Sequence, residues 1–513
     1  MKKQLLILGL LITAAANSQA VFQKAISIPF TSASAKTVVQ TTDGGYLIGA
    51  TGAANGSVLI KTDAQGAVTW TKTYSFSGGA MALSSAGECI GGGYFMFGTG
   101  NDSVFGATSF ALTKTDLGGN VVWNKSFPFS TYSYGYPKCR CTADGGFLIS
   151  QSFYSSMGAL KLDANGNIQW NTSYSDDPND QSPKCPSFNC LINNDGSMVF
   201  EGKRNSDVLL VKTNPDGTMA WSSTIGNGST YYHAYGLTRT SDGGYAVCGY
   251  ANYIPFVMKV GSSGALLWYH EIVTPAGGEL DDIYETSSGD LVSVGTDYSD
   301  NFFIRFSSTG SLISSVALTG TTSSSMYNGP TLCPTSDGGF AFVTDYSDQN
   351  SGMSALTFMK TDASGNFTCG FTNFPVSYNS SQINPNVLTV PIYAHTLTAT
   401  VNTPSCSAIS LNATEADFCV LFSTNDQMAA AGSLSIFPSP IASGENINIA
   451  VKGATAATIE IYNVDGKLVS STKNENANSE LQIATTGLNS GMYFIRVFDA
   501  DHNLLGNSKF IVR

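Results

Sequence analysis

The chain is short of charge. Only 12% of its 513 residues are Asp, Glu, Lys or Arg, about half the usual share of a globular protein. Basic residues are the scarcer sign: 25 Lys and Arg stand against 37 Asp and Glu, a net charge of −12. That argues against a nucleic-acid binder, which needs a basic face for the phosphates. There are four histidines, scattered at His233, His270, His395 and His502. The His-Glu-x-x-His, Gly-x-Ser-x-Gly, P-loop and Cys-x-x-Cys patterns do not occur, and neither does an EF-hand calcium loop. The common metalloprotease, hydrolase, nucleotide-binding and dithiol chemistries therefore lack their motifs. Apolar residues (42%) and aromatics (11%) are plentiful, which argues against a disordered chain.

The N-terminus reads as an export signal over residues 1–20. Lys2 and Lys3 precede an apolar run from Leu5 to Ala16, and Ser18 and Ala20 supply small residues at a cleavage point. The run is too short to span a membrane, and no second one follows. No cysteine stands at the cleavage point, which argues against a lipid anchor. Ten cysteines in an exported chain predict disulfides in part or whole. Cys185 and Cys190 are close enough in sequence to close a small loop, and Cys139 and Cys141 face one side of a strand.

Glycine is the clearest excess, at 53 residues. Much of it is periodic. A Gly-centred turn recurs seven times, at Gly44, Gly92, Gly145, Gly196, Gly243, Gly289 and Gly338, with a mean period of 49 residues. A basic residue follows each turn, at Lys61, Lys114, Lys161, Lys212, Lys259, Arg305 and Lys360, and a glycine always stands five residues later. All five tryptophans occupy one slot nine residues after the basic residue: Trp70, Trp123, Trp170, Trp221 and Trp268. Ser314 and Cys369 take that slot in the last two units. Short runs of Val, Ile, Thr and aromatics lie between the turns, four per unit. Four strands per unit and seven units predict an all-β chain folded as a seven-bladed β-propeller. Phe22–Phe30 resembles the fourth-strand segments and is expected to complete the last blade. The repeated basic residue is expected to pair with a turn acid in its own blade. Gly-x-x-x-Trp, as in Gly66–Trp70, resembles the tryptophan-docking motif of quinoprotein-like propellers, with a turn one residue shorter. That resemblance implies a tryptophan packed between neighbouring blades. No quinone-binding pattern accompanies it, and no cofactor or metal is expected.

Function is expected where the repeat breaks. Three insertions, around Asn101–Ser109, Ser175–Ser187 and Asp345–Ser354, all fall on the end of the blades opposite the tight turns. Loops on a rigid scaffold carry most binding. The same end is rich in tyrosine: Tyr132, Tyr134, Tyr136, Tyr231, Tyr232, Tyr235, Tyr253, Tyr298 and Tyr346. These are the candidate ligand-binding residues, because a flat ring with a polar tip suits sugar rings and protein surfaces alike. Asp176, Asp177, Asp180, Asp297 and Asp300 are candidate carboxylates. A non-catalytic glycan- or protein-binding module is the leading expectation. The alternatives are a polysaccharide hydrolase or lyase with loop carboxylates at the propeller centre, and a structural or gliding-associated surface component.

The division expected is a signal peptide at 1–20, the propeller at 21–374, an irregular Cys-containing segment and linker at 375–432, and a β-sandwich at 433–513. The irregular segment is expected to cover an end of the propeller, tied to it through Cys369. Three motifs run in order through the last segment: Ile436-Phe437-Pro438-Ser439-Pro440, Ile459 to Val469, and Leu488 to Val497, followed by the closing Lys509 to Arg513. Together they resemble the type A C-terminal sorting domain of the Bacteroidetes type IX secretion system, with Pro438, Pro440, Tyr462, Gly466, Lys467, Gly491, Tyr493 and Lys509 as the motif residues. Ser439 stands where that family usually has Asn. The resemblance implies export to the periplasm, handling by the translocon and sortase machinery, and release or surface attachment. No membrane-spanning segment and no nucleic-acid partner are expected.

Overall fold

In the first repeat, Gly44 adopts a φ of +82° and closes a turn between two strands. Asp43 Oδ1 accepts the Gly45 N–H at 3.0 Å and the Thr41 hydroxyl at 2.6 Å. The carboxylate then meets Lys61 from the third strand, 2.9 Å away. The same ion pair recurs as Lys161–Asp144, Lys259–Asp242 and Lys360–Asp337. The sixth unit changes both partners: Arg305 replaces Lys, and its acid is Asp290, on the far side of the turn glycine. The repeated cation therefore fastens the third strand to the first turn of its own blade.

The computed structural model describes residues 21–29, 33–52, 56–76, 81–102, 107–128, 137–153, 156–179, 187–318, 331–347, 354–367, 371–379, 384–388, 390–397, 401–417, 434–437, 441–451, 458–463, 468–474, 480–489, 491–499 and 504–513. All regular structure among them is β. The chain divides into two compact units, 1–421 and 422–513.

The first unit is a closed seven-bladed propeller. Its innermost strands are Ala33–Gln40, Met81–Glu88, Lys138–Cys141, Ser187–Ile192, Tyr232–Arg239, Glu279–Glu285 and Thr331–Pro334. Each neighbours the next, and the last neighbours the first. The N-terminal strand Phe22–Ser27 pairs antiparallel with Ser354–Lys360 and supplies the fourth strand of the last blade. One blade thus contains both ends of the ring.

Seven apolar clusters fill the seven blade-to-blade interfaces. At the rim of each interface an aromatic ring covers a turn glycine of the next blade. A Cβ on Gly119 would lie 2.9 Å from Trp70, and one on Gly166, Gly217, Gly264 or Gly310 would lie 3.0–3.1 Å from Trp123, Trp170, Trp221 or Trp268. Phe303 covers Gly365, and Phe22 of the closing strand covers Gly66. Several glycine carbonyls are bonded across the same interface: Tyr74 donates to Gly119 O at 2.8 Å and Tyr174 to Gly217 O at 2.6 Å.

The segment after the last repeat corrects the expectation that it covers an end of the propeller. It runs along the outer edges of the blades, in reverse order. Phe371–Asn373 joins blade six, Ser377–Tyr378 blade five, Asn386–Leu388 blade four and Tyr393–Thr396 blade three. Asn402 makes a two-bond bridge to Ser126 of blade two. Cys406–Leu411 joins blade one, and Thr414–Asp417 joins the closing strand of blade seven. Physically, an outermost strand presents a row of unpaired N–H and C=O groups, and a belt of short strands satisfies them.

The expectation that all ten cysteines pair is corrected as well. Cys89, Cys139, Cys141, Cys190, Cys248, Cys333 and Cys406 are free thiols, and five of them are buried. Cys89, Cys139 and Cys141 share the layer between blades two and three, and Cys190, Cys248, Cys333 and Cys406 sit in four others, packed as small apolar side chains. Cys185, Cys369 and Cys419 lie outside the described residues.

The second unit is a small β-sandwich. One sheet holds Leu434–Phe437, Asn446–Val451 and Glu480–Ala484, and the other Leu468–Lys473, Thr458–Asn463, Gly491–Phe498 and Leu504–Val512. Ile447, Ile449, Ile459, Ile461, Ile495, Val497 and Phe510 fill the space between them.

Candidate functional site

Blade five builds the site. Its second and third strands, Tyr245–Ala251 and Ile254–Val260, are joined by a two-residue turn, Asn252-Tyr253. Both turn residues have positive φ, 48° and 67°. That is the type I′ geometry favoured by twisted hairpins, where the second position is normally Gly. In blade six Tyr298 also adopts a positive φ, 69°. Its loop is held by Asp297, whose carboxylate accepts the N–H groups of Ser299 (3.0 Å) and Asp300 (2.8 Å). A bulky side chain in the left-handed region is a genuine outlier. Such conformations persist only where the surroundings impose them, and they cluster at functional sites.

The two outliers flank one patch. Tyr253 stacks parallel on Tyr250, and Tyr250 on His233, each pair at 5.6 Å and 6°. His233 contacts Tyr235 at 4.5 Å. Tyr231 leans on the stack 6.1 Å from Tyr250, with Lys203 over its ring at 4.9 Å. Tyr253 is 57% exposed, Tyr231 39% and Tyr298 36%, while Tyr250 and His233 are buried beneath. The linking loop between blades five and six passes between the two outliers. Gly278 donates to Tyr253 O at 2.9 Å, and a Cβ on Gly277 would touch Tyr298.

Acids lie under the patch. Glu279 begins the innermost strand of blade six and is fully buried. Burial raises it to about 8, against a counter-pull from the Tyr235 hydroxyl. Asp281, two residues on, is raised well above the usual carboxylate range by burial and by Glu279. Burial then raises Tyr298 to about 12, with Glu279 adding to it. His233 goes the other way, lowered to about 3 by burial and then by Lys203. At neutral pH the floor of the patch is thus largely uncharged.

The structure brings Tyr231, Tyr235, Tyr253 and Tyr298 together. It removes Tyr232, which points to the opposite side of its strand and packs against Phe256 and Tyr269 at 1% exposure. Tyr132, Tyr134, Tyr136 and Asp180 lie outside the described residues, as does the side chain of Tyr346. Asp176 is spent on an ion pair with Arg204 at 2.9 Å, and Asp177 accepts the N–H of Asn179. His233, Tyr250, Glu279 and Asp281 were not candidates from sequence. The available signal was Asn-Tyr in a hairpin slot that usually holds Asn-Gly.

In the sandwich, Tyr493 is buried and stacked on Phe510 at 5.6 Å, and its hydroxyl donates to Asn489 O. Tyr462 donates to Glu460, Gly491 opens a strand, and Lys509 is exposed. Pro438, Pro440, Gly466 and Lys467 fall outside the described residues. Residues 435–513 match the family described as a secretion system C-terminal sorting domain. The chain ends in a type IX secretion sorting domain. It is therefore exported to the cell surface or beyond, and its sorting domain implies interaction with the secretion machinery. No helix among the described residues is long and apolar enough to cross a membrane.

No curated protein matches the chain. Among solved structures, it is similar to PorZ, a surface component of the type IX secretion system of Porphyromonas gingivalis. Identity is 11% and the TM-score 0.42, over 94% of this chain and 59% of that one. It is also similar to the extracellular domain of a one-component system from B. thetaiotaomicron (10%, TM-score 0.40, 94% and 57% covered). The Dos1 propeller gives 11% and 0.43 over 69% of this chain and 97% of that one. The chain thus spans somewhat over half the length of the first two. At these scores none bears on what the chain binds.

Proposed function

We propose that this exported propeller binds a glycan at the tyrosine patch of blades five and six. The observation that carries the reading is the pair of strained tyrosines, Tyr253 and Tyr298. Each spends backbone energy to hold an exposed ring beside the other, with Tyr231 alongside. Sugar rings stack on such faces, and the hydroxyl tips supply hydrogen bonds. The test is a glycan panel against the wild type, Tyr253→Ala and Tyr298→Ala. Both variants should lose about tenfold or more in affinity for whichever glycan binds, with melting temperature unchanged. Unaltered binding in both would refute the proposal.

One observation favours a second reading, hydrolysis or lysis of a polysaccharide. Glu279 and Asp281 are adjacent acids held protonated, as a general acid must be. Glu279, however, is fully buried, so no substrate oxygen reaches it, and binding is the better supported of the two. Polysaccharide turnover that disappears in Glu279→Gln would reverse that ranking.

A further inference from the structure

The innermost strands line a central channel, and their registers define levels along it. Val38, Ala86, Cys139, Cys190, Leu237, Ile283 and Leu332 are equivalent, each paired with the third residue of its blade's second strand. One residue earlier the seven blades contribute Thr37, Ser85, Lys138, Asn189, Gly236, Asp282 and Thr331. One residue later they contribute Val39, Gly87, Arg140, Leu191, Thr238, Tyr284 and Cys333. In a chain so poor in charge, Lys138 is the one cation of the first level and Asp282 its one anion. Arg140 is the one charge of the second.

The two signs are unequally satisfied. Asp282 accepts the N–H groups of Ile283 at 3.0 Å and Leu332 at 3.1 Å, which hold it on the wall between blades six and seven. Among the described residues, Arg140 makes two long hydrogen bonds, 3.3 Å to Cys190 O and 3.5 Å to Asn189 Oδ1. Neither Arg140 nor Lys138 forms an ion pair among the described residues. Burial and then the neighbouring Arg140 bring Lys138 down to about 8, against an opposing pull from Asp282. The wall of blade three is therefore a pair of adjacent cations that face one shared carboxylate, Asp282.

The channel opens at the same end of the blades as the tyrosine patch, because the innermost strands begin where the second and third strands of each blade are joined. β-bulges in the innermost strands set Tyr235 and Asp281 one residue before the first level, nearer the patch. We propose that the glycan is an acidic one, whose carboxylate or sulfate enters the channel and is held by Lys138 and Arg140. Arg offers two parallel N–H groups to either anion, and Lys adds a point charge. This inference rests on the glycan reading above and adds the charge of the ligand to it.

The experiment is calorimetric titration of the full chain with three matched oligosaccharides: uronic, its carboxyl-reduced neutral form, and sulfated. Wild type should bind the uronic or the sulfated form at least about tenfold more tightly than the neutral one, and the stronger of the two identifies the anion. Arg140→Met and Lys138→Met should each remove most of that preference while leaving affinity for the neutral form unchanged. Arg140→Lys, which keeps the charge, should retain part of it and guards against a folding defect. Equal binding of acidic and neutral forms by wild type, or an undiminished preference in both Met variants, would overturn the acidic assignment and leave the glycan reading standing. Binding of none of the three, with Tyr253→Ala indistinguishable from wild type, would overturn both.

Discussion

A methyl group on Gly119 should cost more than a methyl group on Gly243, although the two glycines have the same kind of backbone. Their φ values are +74° and +84°. An L-residue in that region costs about 1–2 kcal/mol, so this part of the loss is common to both. Around Gly243 a Cβ would meet nothing within 4 Å. At Gly119 it would lie 2.9 and 3.0 Å from two Trp70 ring carbons and 3.1 Å from the Tyr74 hydroxyl. That hydroxyl is bonded to Gly119 O at 2.8 Å, so ring and hydroxyl must both retreat from the interface between blades one and two. Overpacking of this kind adds about 1–3 kcal/mol. Gly243→Ala should therefore lose about 1–2 kcal/mol and Gly119→Ala about 2–5 kcal/mol. Urea unfolding followed by tryptophan fluorescence reads the difference. In a Trp70→Ala background the excess cost of Gly119→Ala should shrink to what the Tyr74 hydroxyl alone imposes, because the obstructing ring is gone. Equal losses for the two glycines in the wild-type background would show that the tryptophan is not what the turn glycine accommodates.

Three further outcomes are expected. Glu279 has a folded pKa of about 8 against an ordinary value of 4.5, so the folded state holds a proton that the unfolded state releases between those values. The stability it confers is fully present below about pH 4.5 and lost as pH rises to 8. Glu279→Gln should therefore melt with wild type near pH 5 and above it near pH 9, and parallel melting curves across that range would refute the assignment. A chain ending after residue 417 should stay monodisperse in gel filtration, whereas one ending after residue 370 should aggregate through its bared blade edges. A monomeric shorter chain would show that the belt is dispensable. Removal of residues 435–513 should leave the protein in the periplasm by cell fractionation, and its appearance in the medium would contradict the sorting role.

The blades were legible because their contacts are local and repeated. Asp242, Gly243 and Lys259 meet within one blade, and the same solution appears in five units, so spacing alone exposes it. The belt was not legible. Its strands are two to six residues long, interrupted by proline, and paired with strands far away in sequence, as Lys24 with Asp417. Edge pairing of that kind asks little of side chains and leaves no periodicity. The tyrosine patch was half legible. Loop position marked Tyr231, Tyr253 and Tyr298, but Tyr232 was wrongly grouped with its neighbour. In a strand, successive side chains face opposite ways, and Tyr231 to Tyr232 is such a step. Glu279 and Lys138 were hidden for another reason. Each looks ordinary in its own strand, and only the register of seven blades shows them to be exceptions at their level.

Scarcity of charge changes what the remaining charges mean. Five of the seven repeated cations are fixed to turn acids at the far end of the blades, where they fasten the blade and are unavailable to a ligand. Those pairs cancel, so the net charge of −12 describes the rest of the surface and says nothing about the channel. There a lysine and an arginine stand on one strand, two residues apart, at levels where the other blades place a single charged residue, Asp282. Keeping two like charges side by side in a buried wall is unfavourable unless something compensates them. Asp282 faces both across the channel, but it is one carboxylate against two cations. The compensation that remains is solvent or an anion. An anion attached to a ring that stacks on Tyr253 and Tyr298 would satisfy both features with one ligand, which is why the channel and the tyrosine patch are read as a single site.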